Sequence, residues 1–359
     1  MIFMTSFLLA CGSAKNSSTK QSVPTGVDYT PDMINVADKY VPRSYFGAPL
    51  EPLSQIIHGA GQDSDSFAEY SSLFPENNQP LIYMSYVGIS ADKSSIDRWY
   101  DEALKGSTEN INFKTVQQIG ISFNGGNDKG IGMATRVAAG EFDDNIEYFL
   151  DKLSALNVPA YLRIGYEFEG SWNGYDAQGY VGTFKRLTDK IRARNMQNVV
   201  TVWCSAGGSA GFVSFDELME YYPGDDYADW WAVDIFSPEE ITNPWLAQFY
   251  KMAAERSKPV MIGETTPRYV GVEEGQKSWD TWYGPFFDMV AQNPEIKAIS
   301  YINWDWVYHS NRLGFQWHDW KDAQLQKNDV VKELYLREMT APIWLHSSTK
   351  FKAKLKPEK

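Results

Sequence analysis

Short runs of apolar and β-branched residues return every ~30–40 residues along this chain, each closed by a Gly, Asn, Ser or Pro cluster and followed by an amphipathic stretch. Parallel strands need long crossovers where antiparallel ones accept a tight turn, so this alternation predicts α/β architecture with a parallel sheet. About eight runs are legible: Val41 to Gly47, Pro80 to Val87, Val116 to Phe123, Pro159 to Glu167, Asn198 to Cys204, Trp230 to Phe236, Pro259 to Glu264 and Ala298 to Trp304. That number favours a (β/α)8 TIM barrel, one domain of ~250 residues or more, expected here over residues 41–345. Between the runs the helical period is clear. Ile146, Phe149, Leu150 and Leu153 follow the acidic start Asp143-Asp144, and Val181, Phe184, Leu187 and Ile191 repeat the pattern. Pro244 opens a further helix with Leu246, Phe249, Tyr250 and Ala253 on one face.

Composition narrows the partners. Lysine and arginine total 33 against 46 acids, a formal charge of −13, so the phosphate neutralisation that drives nucleic-acid binding has no general source. Thirteen Trp and 21 Tyr offer flat apolar faces with polar edges, which suit sugar rings. The four histidines, His58, His309, His318 and His346, are scattered, and Asp63 and Asp65 form a lone DxD, so neither a metal site nor a cofactor is expected.

The apolar N-terminal run Met1 to Ala10 is too short for the ~20 residues of a membrane span. It ends in Leu8-Leu9-Ala10-Cys11-Gly12, which resembles the bacterial lipobox, although Lys15 and Lys20 both follow the cysteine and no basic residue precedes it. The expectation is a signal peptide over 1–10, lipidation at Cys11, a polar tether over 11–40, and a domain held at the bacterial cell envelope, facing periplasm or exterior. Membrane contact would run through the lipid alone. The lysine-rich segment 346–359 is expected to be a solvated tail. Cys204, the remaining cysteine, sits in a run that predicts a buried strand.

In a barrel of this kind reactive groups come from the C-terminal ends of the strands. Two runs end in glutamate. Alternation places Tyr161, Arg163, Gly165 and Glu167 on one face of the fourth, and Val260, Ile262 and Glu264 on one face of the seventh. Strands four and seven face each other across a closed sheet, so the two carboxyls can meet. Cleaving a glycosidic bond requires one protonated carboxyl at the leaving oxygen and a second carboxylate at the anomeric carbon, ~5–5.5 Å apart when configuration is retained. Repulsion between them would raise one pKa and separate acid from nucleophile. Arg163, a charge aimed into the barrel, must be paired, and it reads as support for a carboxylate.

These residues resemble clan A of the glycoside hydrolases, and most of all glycoside hydrolase family 26, over roughly Arg43 to Leu345. Arg163-Ile164-Gly165-Tyr166-Glu167-Phe168-Glu169-Gly170-Ser171-Trp172 is similar to the segment bearing that family's acid/base, and Lys258 to Thr265 to the segment bearing its nucleophile. The resemblance implies those roles for Glu167 and Glu264, a sugar ligand at Asp234, and an aromatic floor at Trp304, with Trp306 beside it. It implies a β-mannan-like or related β-glycan as substrate, since known members are mainly endo-β-mannanases with some xylanases and mixed-linkage glucanases. Three departures bear on which sugar is recognised: Tyr166 stands in place of His, Glu169 in place of Asn, and Phe236 in place of a Tyr whose hydroxyl would approach the nucleophile. Arg163, Tyr166, Trp172 and Trp317 complete the expected substrate contacts, and Trp320 lies in the same loop as Trp317.

Rival motifs are weaker. Gly207-Gly208-Ser209-Ala210-Gly211 matches the GxSxG nucleophile elbow, but that elbow needs a strand running straight into the serine and a helix straight out. Gly130-Ile131-Gly132 lacks a third glycine, and Gly125-Gly126 lacks the lysine of a phosphate loop. The serious alternative is a lipid-anchored barrel that captures glycans without cutting them. A binder has no need of both glutamates.

Overall fold

A computed structural model describes residues 36–106, 115–124 and 132–347. The signal segment, Cys11, most of the tether, Gly125-Gly126, Gly130-Ile131 and the tail lysines lie outside the described residues. Eight parallel strands close on themselves: β1 (Ile56–Gly61), β2 (Ile82–Gly88), β3 (Val116–Ser122), β4 (Ala160–Ile164), β5 (Val199–Ser205), β6 (Trp230–Ile235), β7 (Val260–Thr265) and β8 (Ile296–Ile302). Each pairs with the next, and β1 pairs with both β2 and β8, which closes a (β/α)8 barrel. Helices alternate with the strands, and the predicted faces are the buried ones in Asp143–Leu156, Ala177–Ala193 and Pro244–Glu255, with Val181 only half-buried.

The first strand differs from expectation. Val41 to Gly47 forms no strand; its Val41 and Ser44 amides bond the Ala291 and Pro294 carbonyls. The strand is Ile56–Gly61, which carries His58 and two glycines and so has weak strand propensity. Both glycines are required by packing. A Cβ at Gly59 would stand 2.6 Å from Ser300 Oγ, and one at Gly61 2.7 Å from Met84 Cβ. The segment 43–53 instead covers the N-terminal end of the barrel, where Tyr161 and Trp230 donate to the Leu50 and Pro49 carbonyls at 2.6 and 2.9 Å.

The domain also extends past its expected edges. Lys39 bonds Glu338 at 2.7 Å, and His346, expected in the tail, bonds His58 at 3.0 Å and the Met339 carbonyl at 2.9 Å. Inside the barrel a buried cluster including Tyr161, Val202, Cys204, Trp230, Ala232 and Met261 forms the floor on which the polar groups of the C-terminal mouth rest.

Candidate active site

Arg163 organises the mouth. It points inward from β4 and is fully buried, as alternation predicted. Its Nη1 donates to Glu264 Oε1 at 2.8 Å, and its Nη2 forms an ion pair with Asp234 Oδ2. Its Nε and Nη2 also lie 3.3 and 3.2 Å from Cys204 Sγ. Burial works against the guanidinium's charge, but Asp234, Cys204 and Glu264 outweigh it and hold Arg163 above its ordinary value. Five contacts, to two carboxylates, a thiol and the Met84 thioether, are the satisfied arrangement a buried arginine requires.

Glu264 reaches this cluster by a route that alternation did not foresee. Val260 and Ile262 belong to the outer core and Met261 to the inner one, so simple parity would turn Glu264 outward. The pairing of β7 with β8 slips between Ile262 and Thr265, and its pairing with β6 slips opposite. Gly263 also faces inward: a Cβ there would stand 2.6 Å from Asp234 Oδ1 and 2.9 Å from Arg163 Nε. A bulge therefore re-aims Glu264 into the barrel, and a glycine makes room for it.

Glu167 lies past the end of β4, on a turn rather than on the strand. Gly165 at φ +59° and Glu167 at φ +53° are both left-handed, a conformation that costs a non-glycine residue and so marks a position held for a purpose. The turn is tied down on three sides. Glu167 N donates to the Cys204 carbonyl at 2.9 Å, and Asn173 Nδ2 donates to the carbonyls of Tyr166 and Glu167 at 3.0 Å each. Trp172 Nε1 donates to Glu167 Oε2 at 2.9 Å. Burial and then the charge of Glu264 push the Glu167 carboxyl up to about 8, while Arg163 and the Trp172 bond pull against them. The two glutamates thus share one electrostatic neighbourhood, and only Glu264 is ion-paired.

The remaining expected residues fall into two groups. Asp234 is fully buried and has its oxygens engaged by Arg163 and by Cys204 Sγ at 3.5 Å, so it lies beneath the site and offers no oxygen to a sugar. Arg163, equally sealed, is likewise a support and not a substrate contact. Tyr166 is half-buried and its ring lies 5.1 Å from the Arg163 guanidinium. Trp172 is 43% exposed. Trp304 lies just past β8, with its indole nitrogen bonded to Asp63 Oδ2 at 2.8 Å and one face covered by the His309 ring at 3.9 Å, 8° from parallel. Trp306 is buried against Trp304, Trp317 and Trp320. Phe236 packs on Trp320, and Glu169 turns away to bond Ser205 Oγ and the Ala206 amide.

Some contributors were missed. Asp63 and His309, read as a lone acid and a scattered histidine, border a cavity of about 670 Å³ beside Trp304. Tyr86 was not singled out, although alternation along β2 through Ile82 and Met84 places it on the inner face. The GxSxG segment is a short helical turn, with β5 ending at Ser205 and the next helix starting at Phe215, so no nucleophile elbow exists. Among the described residues no group of three or more His, Cys, Asp or Glu side chains is placed to hold a metal ion.

No protein-family profile matches the chain. It is 25% identical over 330 residues to a β-1,3-xylanase from Alcaligenes sp., covering 85% of this chain and 68% of that protein. It is 26% identical over 334 residues to a β-1,3-xylanase from Vibrio sp., covering 85% and 69%. Among solved structures it is similar to GH26C from Muricauda sp., with a TM-score of 0.58 and 15% identity over 85% of this chain and 91% of that one. It is similar to the mannanase man26 of Bacillus subtilis, with a TM-score of 0.54 and 17% identity over 76% and 88%. The resemblance to glycoside hydrolase family 26 therefore stands, as a divergent one.

Proposed function

We propose that this chain is a retaining glycoside hydrolase of β-linked polysaccharide. Glu264 attacks the anomeric carbon as nucleophile while Glu167 protonates the leaving oxygen; water, deprotonated by Glu167, then releases the sugar from Glu264. One observation carries the reading. Two inward carboxyls from opposite walls of a barrel are treated differently, Glu264 being ion-paired to a buried arginine and Glu167 raised to about 8 by burial and by Glu264's charge. A general acid must hold its proton at working pH, which the raised Glu167 carboxyl favours, and the ion pair with Arg163 suits Glu264 to the other role. The Trp172 bond keeps the Glu167 carboxyl aimed.

β-1,3-Xylan ranks first among substrates. The two curated relatives named β-1,3-xylanase cover 85% of the chain, whereas the likeness to mannanase structures, at 17% identity or less, speaks to fold. The replacements at Tyr166 and Phe236 agree with a sugar other than mannose at the cleavage point. The test is a depolymerisation screen of the purified protein on β-1,3-xylan, β-1,4-xylan, mannan, galactomannan and β-1,3-glucan, with proton NMR of the first products. Chain scission with the β anomer appearing first is expected. Binding without scission on every glycan would establish the capture protein instead, and a first-formed α anomer would overturn retention.

A further inference from the structure

Tyr86 ends the inner face of β2 and is half-buried at the mouth. Its ring lies 5.3 Å from that of Tyr166, and the two rings cover Gly120 of β3, where a Cβ would stand 2.6 Å from Tyr86 Cδ1 and 3.0 Å from Tyr166 Cδ1. A glycine is thus required for the tyrosine pair to sit where it does. The Tyr86 hydroxyl donates to Met84 Sδ at 3.6 Å, and Arg163 Nη1, which holds Glu264 at 2.8 Å, lies 3.9 Å from the same sulfur. A thioether is a weak acceptor, so a phenol bonded to one retains most of its hydrogen-bonding capacity. Burial, and after it the charge of Glu264, raises both the Tyr86 and Tyr166 hydroxyls above their ordinary value, so both stay protonated donors. Phe236, packed on Trp320, offers no hydroxyl.

We propose that Tyr86 contacts the substrate, its hydroxyl leaving Met84 Sδ to bond the hydroxyl on carbon 2 of the sugar whose anomeric carbon faces Glu264. This rests on the hydrolase reading above. Two polar groups flank an anomeric carbon, the ring oxygen and the carbon-2 hydroxyl. The ring oxygen loses electron density in an oxocarbenium-like transition state, which opposes a donor there, whereas bonds to the carbon-2 hydroxyl strengthen. Configuration at carbon 2 also separates mannose from xylose and glucose, so Tyr86 would help decide which sugar is cut.

The experiment uses the full chain with the 4-nitrophenyl glycoside of β-1,3-xylobiose and its analogue lacking the hydroxyl on carbon 2 of the sugar bearing the aryl group. The native protein should lose about 10²-fold in kcat/KM on the deoxy analogue. Tyr86→Phe should lose a similar factor on the complete substrate and little more on the analogue, because both changes remove the same bond. Met84→Leu, which removes the resting acceptor and the sulfur's contact with Arg163 Nη1, should keep the native discrimination between the two substrates whatever its overall rate. Tyr86→Phe within twofold of native on the complete substrate, a further full loss on the analogue, or Met84→Leu losing the discrimination would overturn the tyrosine's role and leave the hydrolase reading intact. Absence of turnover by the native protein on this substrate and on every glycan of the screen would overturn both.

Discussion

The two ends of the barrel both bury charge, and they treat it in opposite ways. At the N-terminal end Lys297 is sealed against Glu51 at 3.6 Å and donates to the Ser44 and Leu53 carbonyls at 2.6 and 3.1 Å. Glu51 accepts from the Phe46 and Ala48 amides at 3.0 Å, and Arg43 spends its guanidinium on the carbonyls of Val41, Val290, Ala291 and Asn293. At the C-terminal end Glu167, Asp234 and Glu264 crowd around one guanidinium, Asp234 pushed up by burial and Glu167 by burial and then Glu264's charge. Glu169 Oε2 and Ser209 Oγ there are buried without a partner. Opposite charges each met by a partner mark a structural plug; like charges held together mark a place where a proton is meant to move.

The sharpest way to break this contrast is Glu264→Ala, which should lower turnover on the order of 10³-fold or more while leaving glycan binding measurable by affinity electrophoresis. Retained turnover would remove the chemical meaning of the crowded end. Next comes a pair of truncations. Arg163→Met leaves two carboxylates unpaired and should cost about 3–5 kcal/mol of stability together with activity. Lys297→Met leaves Glu51 with its backbone donors and should cost about 1.5–3 kcal/mol with kcat unchanged. Denaturant titration and kinetics on both variants check the split, and a kcat loss at Lys297 would blur the division between the ends.

The smallest effect concerns pH. With Glu167 raised to about 8, kcat/KM should fall on the alkaline side near that value. Trp172→Phe deletes a bond that lowers Glu167, so the limb should move upward. The linkage has the same sign: a carboxyl raised in the folded state stabilises fully below its ordinary 4.5, and that contribution is lost as pH rises through about 8. A limb that stays put in Trp172→Phe would show that the indole does not tune the acid.

Much of this was legible along the chain. Runs two to eight fall on β2 to β8, and the helix faces centred on Phe149, Phe184 and Phe249 are buried, because each run must hide a face against a neighbour. Arg163 was legible as a paired charge, since an arginine in a strand interior has no other stable state. Strand β1 was not, because its glycines answer to Ser300 and Met84 on neighbouring strands and not to any local preference. The covering of Trp304 by His309 and the burial of Asp234 also depend on other elements.

The amino-acid order by itself determined the barrel, the glutamates closing the fourth and seventh apolar runs and the arginine in the fourth, because periodicity and the cost of a buried charge act within a few residues. Tertiary structure alone decided that a slip in the pairing of β7 turns Glu264 inward, that a left-handed turn carries Glu167 to meet it, and that Tyr86 packs on Tyr166 within range of Glu264's charge. Those outcomes depend on register and distance between segments far apart in the chain, which no local pattern encodes.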